Sequence, residues 1–203
     1  MALVKHNNRS ILNVTALDSI ASGGLNLITT NTISSGVSSS SFTSNINSTY
    51  DTYMFKWINC HPATDGGVHW EVNFRDGSSA FDAVKQTTLF RTIHNESDSE
   101  TKVDKESGDD LAQGTGYQRL NTGVGGGGDE SVSGTMFLFS PSSTTFIKHF
   151  MSESMSHEHD NYTNRSFVQG YCDLTAAIDG VDFKFSSGNI DSGVIKMYGL
   201  SKS

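Results

Sequence analysis

Apolar and polar residues alternate in short segments along the chain, and this pattern predicts strands. In "YDTYMFKWIN", Tyr53, Phe55 and Trp57 fall on one face of an extended segment, because successive side chains of a strand point to opposite sides. In "VHWEVNF", residues 68–74, every second residue from Val68 is apolar, and the polar residues between them are predicted to point outward. These two aromatic segments predict an antiparallel pair over a core.

Later segments continue the alternation. Each of "GTMFLF", "TTFIKHFM", "GVDFKF" and "SGVIKMYGL" predicts a strand. In the last of them, Ile195 and Met197 are predicted to share one face, and Lys196 and Tyr198 the other. The residues expected to be largely buried are Trp57, Trp70, Phe74, Phe137, Phe183 and Phe185.

Polar stretches separate these segments. The charged block "NESDSETKVDKESGDD", residues 95–110, is predicted to be a surface loop, with a short solvated helix as the alternative. Residues 124–131, "VGGGGDES", are predicted to be a flexible loop, and no Lys-Ser/Thr follows that would make it a phosphate cradle. Residues 152–166 are predicted to form another polar loop. The serine-rich residues 34–44 fit either a strand with a polar surface or a linker.

The fold class follows from these spacings. We count about ten strands at intervals typical of a sandwich, and no convincing amphipathic helix. The sequence therefore predicts an all-β fold, an antiparallel β-sandwich that is jelly-roll-like. We expect residues 1–45 to form an N-terminal arm or edge strands, used for attachment or oligomer contact, and residues 46–203 to form the sandwich domain.

Composition narrows the functional classes. The 203 residues include 35% hydrophobic and 18% charged residues, and the formal net charge is −8. An acidic chain is a poor partner for nucleic acid, because a binder must neutralise phosphates. The start "MALVKHNNRSILN" lacks the apolar region of a signal peptide, and no run approaches the roughly 20 apolar residues of a membrane span. We therefore expect neither nucleic-acid binding nor membrane insertion.

Metal and thiol chemistry have weak candidates. In "HEHD", His157 and His159 would share one face of an extended strand, with His149 as a third ligand from a neighbouring strand. Their position in a Ser/Asn-rich stretch favours solvated side chains, so no metal or cofactor site is assigned. Cys60 and Cys172 are 112 positions apart and are expected to be buried, reduced thiols. His61 adjoins Cys60, but neighbours in a strand point to opposite faces, which opposes activation of the thiol.

Enzymatic and sugar-binding chemistry also lack a defined set of residues. No nucleophile elbow is present. Scattered carboxylates, among them Asp51, Glu71, Asp76 and Asp82, could supply a glycosidase pair, but nothing singles out two of them. Two aromatics, Trp57 and Trp70, could form a sugar platform, although their place in strongly alternating strands favours the core. We therefore assign no catalytic residue and expect the protein not to be an enzyme.

Three stretches are more specific than composition. They are "INSTYDTYMFKWINCHPATDG" (46–66), "GTMFLFSPSSTTFIKHF" (134–150) and "FKFSSGNIDSGVIKMYGL" (183–200). Together they resemble a family of small virion structural proteins of tailed bacteriophages, in particular those of marine and cyanobacterial hosts. The resemblance runs from about residue 45 to the last strand and is weaker in the N-terminal arm and in residues 95–110.

The resemblance implies a non-enzymatic virion protein exposed on the particle, either in a tail fibre or appendage or as a capsid decoration. It also implies assembly in the bacterial cytoplasm with release by lysis, and a homo-oligomer, most simply a trimer, in contact with other virion proteins. Binding of a host-surface glycan by the loops 95–110, 121–131 and 152–166 stays open. The alternative class is a carbohydrate-binding module or carbohydrate-active enzyme on a β-sandwich.

Overall fold

The structure, a computed structural model, describes residues 24–105 and 107–200. These residues form twelve strands and one 3₁₀ turn, Ser107–Asp109. The strands are β1 Leu25–Ile33, β2 Ser40–Phe42, β3 Thr52–Pro62, β4 Val68–Arg75, β5 Lys85–Asn95, β6 Thr101–Lys105, β7 Gln118–Val124, β8 Val132–Phe139, β9 Lys148–Glu158, β10 Tyr162–Cys172, β11 Gly180–Phe185 and β12 Ile190–Leu200. The predicted all-β antiparallel sandwich is confirmed, with two more strands than expected.

The strands make two layers that meet at one corner. A large sheet has the order β1-β12-β3-β8-β9-β10-β5-β6, and a small sheet has the order β7-β4-β11-β2. Strand β7 pairs with β9 at a single position, Val124 opposite Glu158, which joins the layers. In the described part of the chain, no helix has the length and apolar character needed to cross a membrane.

The core lies between the two sheets and is centred on aromatic rings. The Trp70 ring from β4 stacks on Phe183 at 5.8 Å between centroids and 9° between planes. Across the layers, the Trp57 ring lies 6.1 Å from Trp70. Five of the six residues predicted to be buried are buried, namely Trp57, Trp70, Phe74, Phe183 and Phe185. Since apolar burial contributes about 25 cal/mol per Å², these rings are major contributors to the stability of the sandwich.

The sixth residue, Phe137, was assigned to the wrong face of β8. Met136 and Leu138 are buried, whereas Phe137 and Phe139 lie on the outer side. Strand β8 pairs with β3 so that Met136 is opposite the buried Phe55. Because directly opposite residues share one face of a sheet, this register turns Phe137 away from the core.

Residues 152–166 form a hairpin and not the predicted loop. Strand β9 continues to Glu158, and β10 begins at Tyr162. The inward side chains of this hairpin are short and polar: Ser152, Ser154, Ser156, Asn164 and Ser166. Strand β7 satisfies several of them, since the Ser154 hydroxyl donates to the Leu120 carbonyl at 2.6 Å and the Ser156 hydroxyl to Asn121 Oδ1 at 2.7 Å. One side of the interior is therefore held together by hydrogen bonds.

The charged block 95–110 is a second hairpin, which corrects the prediction of a loop. It consists of the end of β5, a turn and the exposed strand β6, with the 3₁₀ turn after it. Strand β6 is one edge of the large sheet. Its lysines, Lys102 and Lys105, place charge on that edge, which is how monomeric sheets discourage further strand pairing.

The chain segments at both ends of the described range belong to the sandwich. Strand β12 lies between β1 and β3, and the face that Ile195 and Met197 share is the buried one. Of the serine-rich residues 34–44, only Ser40–Phe42 form a strand, at the edge of the small sheet. The division of the chain into an arm of residues 1–45 and a sandwich stays a prediction, and residues 1–23 lie outside the described residues.

The outer face of the small sheet is buried, contrary to the pattern of β4. Glu71 and Asn73 were expected to face solvent, but both are buried. The segment before β7 crosses this face, where the Thr115 carbonyl accepts a hydrogen bond from Asn73 at 3.0 Å and the Tyr117 hydroxyl donates to Asp182 at 2.7 Å. The polar outer side of β4 therefore lies in a second, smaller buried region.

Candidate functional site

The outer face of the large sheet carries apolar side chains in register across several strands. Tyr198 of β12 is opposite Met54 of β3, Met54 is opposite Phe137 of β8, and Phe137 is opposite Met151 of β9. All four side chains point away from the core. Met151 is 52% exposed, and the other three side chains are half-buried.

A second row lies beside the first and extends it to the edge of the sheet. Phe139 stacks on Phe137 at 6.4 Å. On β1, Leu25 is opposite Leu200, and Leu27 is opposite Tyr198. We call this surface the apolar band; it comprises Leu25, Leu27, Met54, Phe137, Phe139, Met151, Tyr171, Tyr198 and Leu200. Monomeric proteins rarely expose contiguous apolar patches beyond a few hundred Å², so the band is the feature of this face to be explained.

Charged and aromatic groups border the apolar band. Lys56 and Lys196 are directly opposite each other on β3 and β12, an arrangement that is unfavourable when it stands alone. On β10, the Arg165 guanidinium lies 4.9 Å from the Phe167 ring and forms an ion pair with Glu153. The face therefore has an apolar centre with a charged border, the usual anatomy of a protein interface.

One end of the apolar band contains a cleft of about 480 Å³. Its aromatic walls are Phe139, His149 and Tyr171, with the His149 and Tyr171 rings 6.1 Å apart. Gln86 and Gln169 add amide groups. Rings with a few polar groups are the composition of small-molecule sites.

The histidines of "HEHD" are placed apart, at the tip of the β9–β10 hairpin. His157 Nδ1 lies 3.0 Å from Glu130 Oε1, and its Nε2 lies 3.4 Å from Glu96 Oε1. Partial burial works against the charged ring, but the two carboxylates outweigh it and raise the pKa of His157. His159 instead faces Asp160, at 3.3 Å. Within the described ranges, no group of three or more His, Cys, Asp or Glu side chains could hold a metal ion.

Cys60 and His61 point to opposite sides of β3, as predicted. Cys60 is a free, buried thiol whose pKa is raised to about 12 by burial. His61 Nε2 lies 3.0 Å from the Gly127 carbonyl, and its Nδ1 lies 3.6 Å from Asp191. Cys172 is also free and buried, with its pKa raised to about 12 by burial, so neither thiol is poised as a nucleophile.

The candidate carboxylates lie in different parts of the fold. Glu71 is buried within β4, and its pKa is raised by burial, which the nearby Lys184 and Arg119 oppose. Asp51 and Asp82 are exposed in segments that precede β3 and β5. Asp76 follows β4, five residues beyond Glu71, a separation of roughly 16 Å along a strand.

The tryptophans are not a sugar platform. Both Trp57 and Trp70 are fully buried between the sheets, so the interpretation as core residues is confirmed.

The sequence did contain one signal for the apolar band, the run "HFMSESM" at 149–155, in which His149, Met151 and Met155 are outward and the serines inward.

No protein-family model, curated protein or solved structure matches the chain.

Proposed function

We propose that the protein is a non-enzymatic structural subunit of a bacteriophage particle, exposed in a tail fibre or appendage or as a capsid decoration. In this proposal, copies of the chain associate through the apolar band, and a trimer is the expected assembly. The sequence resemblance motivates the virion location. The observation that carries the proposed self-association is the in-register row Tyr198, Met54, Phe137 and Met151.

The size of the face supports this role. Eight strands about 4.8 Å apart and up to eleven residues long present a face on the order of 1,000 Å². Stable interfaces bury about 800 Å² on each partner. A second copy seated on this face would cover the apolar band with a comparable area.

Self-association can be tested by light scattering coupled to size-exclusion chromatography. A trimer of the full chain, three times 22.0 kDa, is expected. Met151→Lys places a charge within the apolar band and should give monomers. Val103→Lys is the matched control, because Val103 is 76% exposed on the edge strand β6, outside the apolar band; this variant should remain oligomeric.

Two results would contradict the proposed interface. A wild-type chain that stays monomeric at high concentration would exclude self-association through any surface. A Met151→Lys chain as oligomeric as Val103→Lys would place the contact elsewhere. The virion location has its own test, immunogold labelling of purified particles with antibodies to the chain, and unlabelled particles would refute it.

The cleft at Tyr171 supports a second candidate function, binding of a carbohydrate. Sugars stack on aromatic rings through their C–H faces, and the Gln86 and Gln169 amides could bind hydroxyl groups. A glycan array would identify a ligand, and Tyr171→Ala should abolish its binding. Tyr162→Ala is the control, because that tyrosine lies at the hairpin tip and donates to Glu100 at 2.8 Å. An array on which the wild-type chain binds nothing would refute this function.

A further inference from the structure

A buried lysine contacts a buried asparagine where the small sheet meets β5. Lys85 Nζ lies 2.5 Å from Asn73 Oδ1. Lys85 is fully buried, and Asn73 is 1% exposed. Since a C=O bond is about 1.23 Å long, Asn73 Cγ is at most about 3.7 Å from this nitrogen. This is the separation that a hydrogen bond to the amide oxygen gives, so a small rotation of the amine is needed to direct its lone pair at Cγ within about 3–3.5 Å.

The surroundings fix and polarise the amide of Asn73. Its Oδ1 also accepts a hydrogen bond from the Phe74 N–H at 2.9 Å, and its Nδ2 donates to the Thr115 carbonyl at 3.0 Å. Two donors on the oxygen and an acceptor on the nitrogen leave one orientation of the amide. The Phe74 N–H is also placed to stabilise negative charge that would develop on Oδ1.

Burial makes the neutral form of the lysine side chain more accessible than it is in water. Its Nζ has one further partner, the Ala83 carbonyl at 2.6 Å. Burial lowers the pKa of Lys85 to about 8, although Cys172 and Asp82 oppose this shift. A neutral amine is the nucleophilic form of lysine.

We propose that Lys85 and Asn73 form an intramolecular isopeptide bond after the chain folds. The Lys85 amine attacks Asn73 Cγ, and the Phe74 N–H stabilises the oxygen of the tetrahedral intermediate. A proton passes from Nζ to Nδ2 within this intermediate, the Cγ–Nδ2 bond breaks, and ammonia leaves. One C–N bond replaces another, so no oxidant, reductant or cofactor is needed. The product would tie β4 to the start of β5 covalently.

Intact-mass spectrometry of the folded, full chain tests the proposal. Loss of ammonia lowers the mass by about 17 Da from the value for the sequence, after allowance for removal of the initiator Met. Trypsin should cleave after Arg75 but not after Lys85. Fragmentation should then show residues 57–75 joined to residues 76–91 through these two side chains.

Matched variants separate this bond from other losses of ammonia. Lys85→Met should restore the full mass, whereas a succinimide at an asparagine would persist in that variant. Lys148→Met is the control, because Lys148 is also fully buried beside Cys172 but donates to the Leu174 carbonyl; it should keep the loss.

Two results would overturn the proposal. A folded wild-type chain that keeps its full mass after prolonged incubation would overturn it. A mass loss that persists in Lys85→Met would overturn it as well.

Discussion

The rings of Trp57 and Trp70 lie 6.1 Å apart, centroid to centroid, although they belong to different sheets. Trp57 projects from the large sheet and Trp70 from the small one, so their contact bridges the two layers. Phe183 lies within 5.8 Å of both rings. The three rings form the centre of the sandwich, and the stability of the fold depends on them.

Trp70→Ala should lower the free energy of unfolding by about 3–5 kcal/mol, because it leaves a cavity between the sheets. Trp70→Phe should cost less, since the buried indole N–H of Trp70 has no hydrogen-bond partner in the described structure. Urea denaturation measures both. Phe146→Ala, at a side chain 73% exposed, should change stability by no more than about 0.5 kcal/mol. Strong quenching of the native fluorescence by iodide would contradict the burial of both tryptophans.

Asn164→Ala should destabilise the protein by about 1–3 kcal/mol, because it leaves buried polar groups without partners. The Asn164 amide donates to the Thr122 carbonyl at 2.6 Å and to Glu158 at 2.5 Å. Thr163→Ala is the control, one residue away on the exposed face of β10. Equal effects of the two substitutions on the urea midpoint would show that the polar interior contributes little.

Stability should depend on the protonation of His157. Its pKa is raised in the folded state above the ordinary 6.5, by Glu96 and Glu130 against the opposing effect of burial. A raised pKa means that protonation favours folding, so this contribution is complete below pH 6.5 and is lost as the pH rises through the folded-state value. His157→Gln should therefore lower the urea midpoint more at pH 6 than at pH 8. In an NMR titration, Glu130→Gln should lower the pKa of His157, and an unchanged pKa would contradict the assignment of the cause.

A chelator should leave the melting temperature unchanged. His157 contacts Glu130 and Glu96, whereas His159 contacts Asp160. Differential scanning calorimetry with and without EDTA measures this, and added Zn²⁺ gives the complementary test. A shift of many degrees in either experiment would revive a metal site at the hairpin tip.

The inward face of a strand could be predicted from sequence only where the apolar residues of that strand lie on one side. Strands β3, β4 and β11 have an apolar residue at every second position, so their inward residues were predicted from sequence, although polar residues on the other side of β4 and β11 are buried as well. The second half of β9 has serines inside and Met151 and Met155 outside, which reverses the usual signal and was interpreted as a loop. The serines are stable inside because β7 supplies hydrogen-bond partners, and sequence alone does not show that β7 packs there.

Strand β8 illustrates a different limit. In "TMFLF" every position after Thr135 is apolar, so alternation gives no preference for one face. The register with β3 decides the question by placing Met136 opposite Phe55. The apolar band depends on strand order in the same way, because its members are far apart in the chain and become neighbours only in the folded sheet.

The position of β12 has a consequence for how the protein is made. Residues 190–200 pair with β3 on one side and with β1 on the other, so β1 has no place in the large sheet until Leu200 has left the ribosome. Contacts this distant in sequence also slow the search for the native state. We therefore expect the large sheet to form after translation, and nascent chains to depend on holding factors that shield the unpaired β1 and β3 in the meantime.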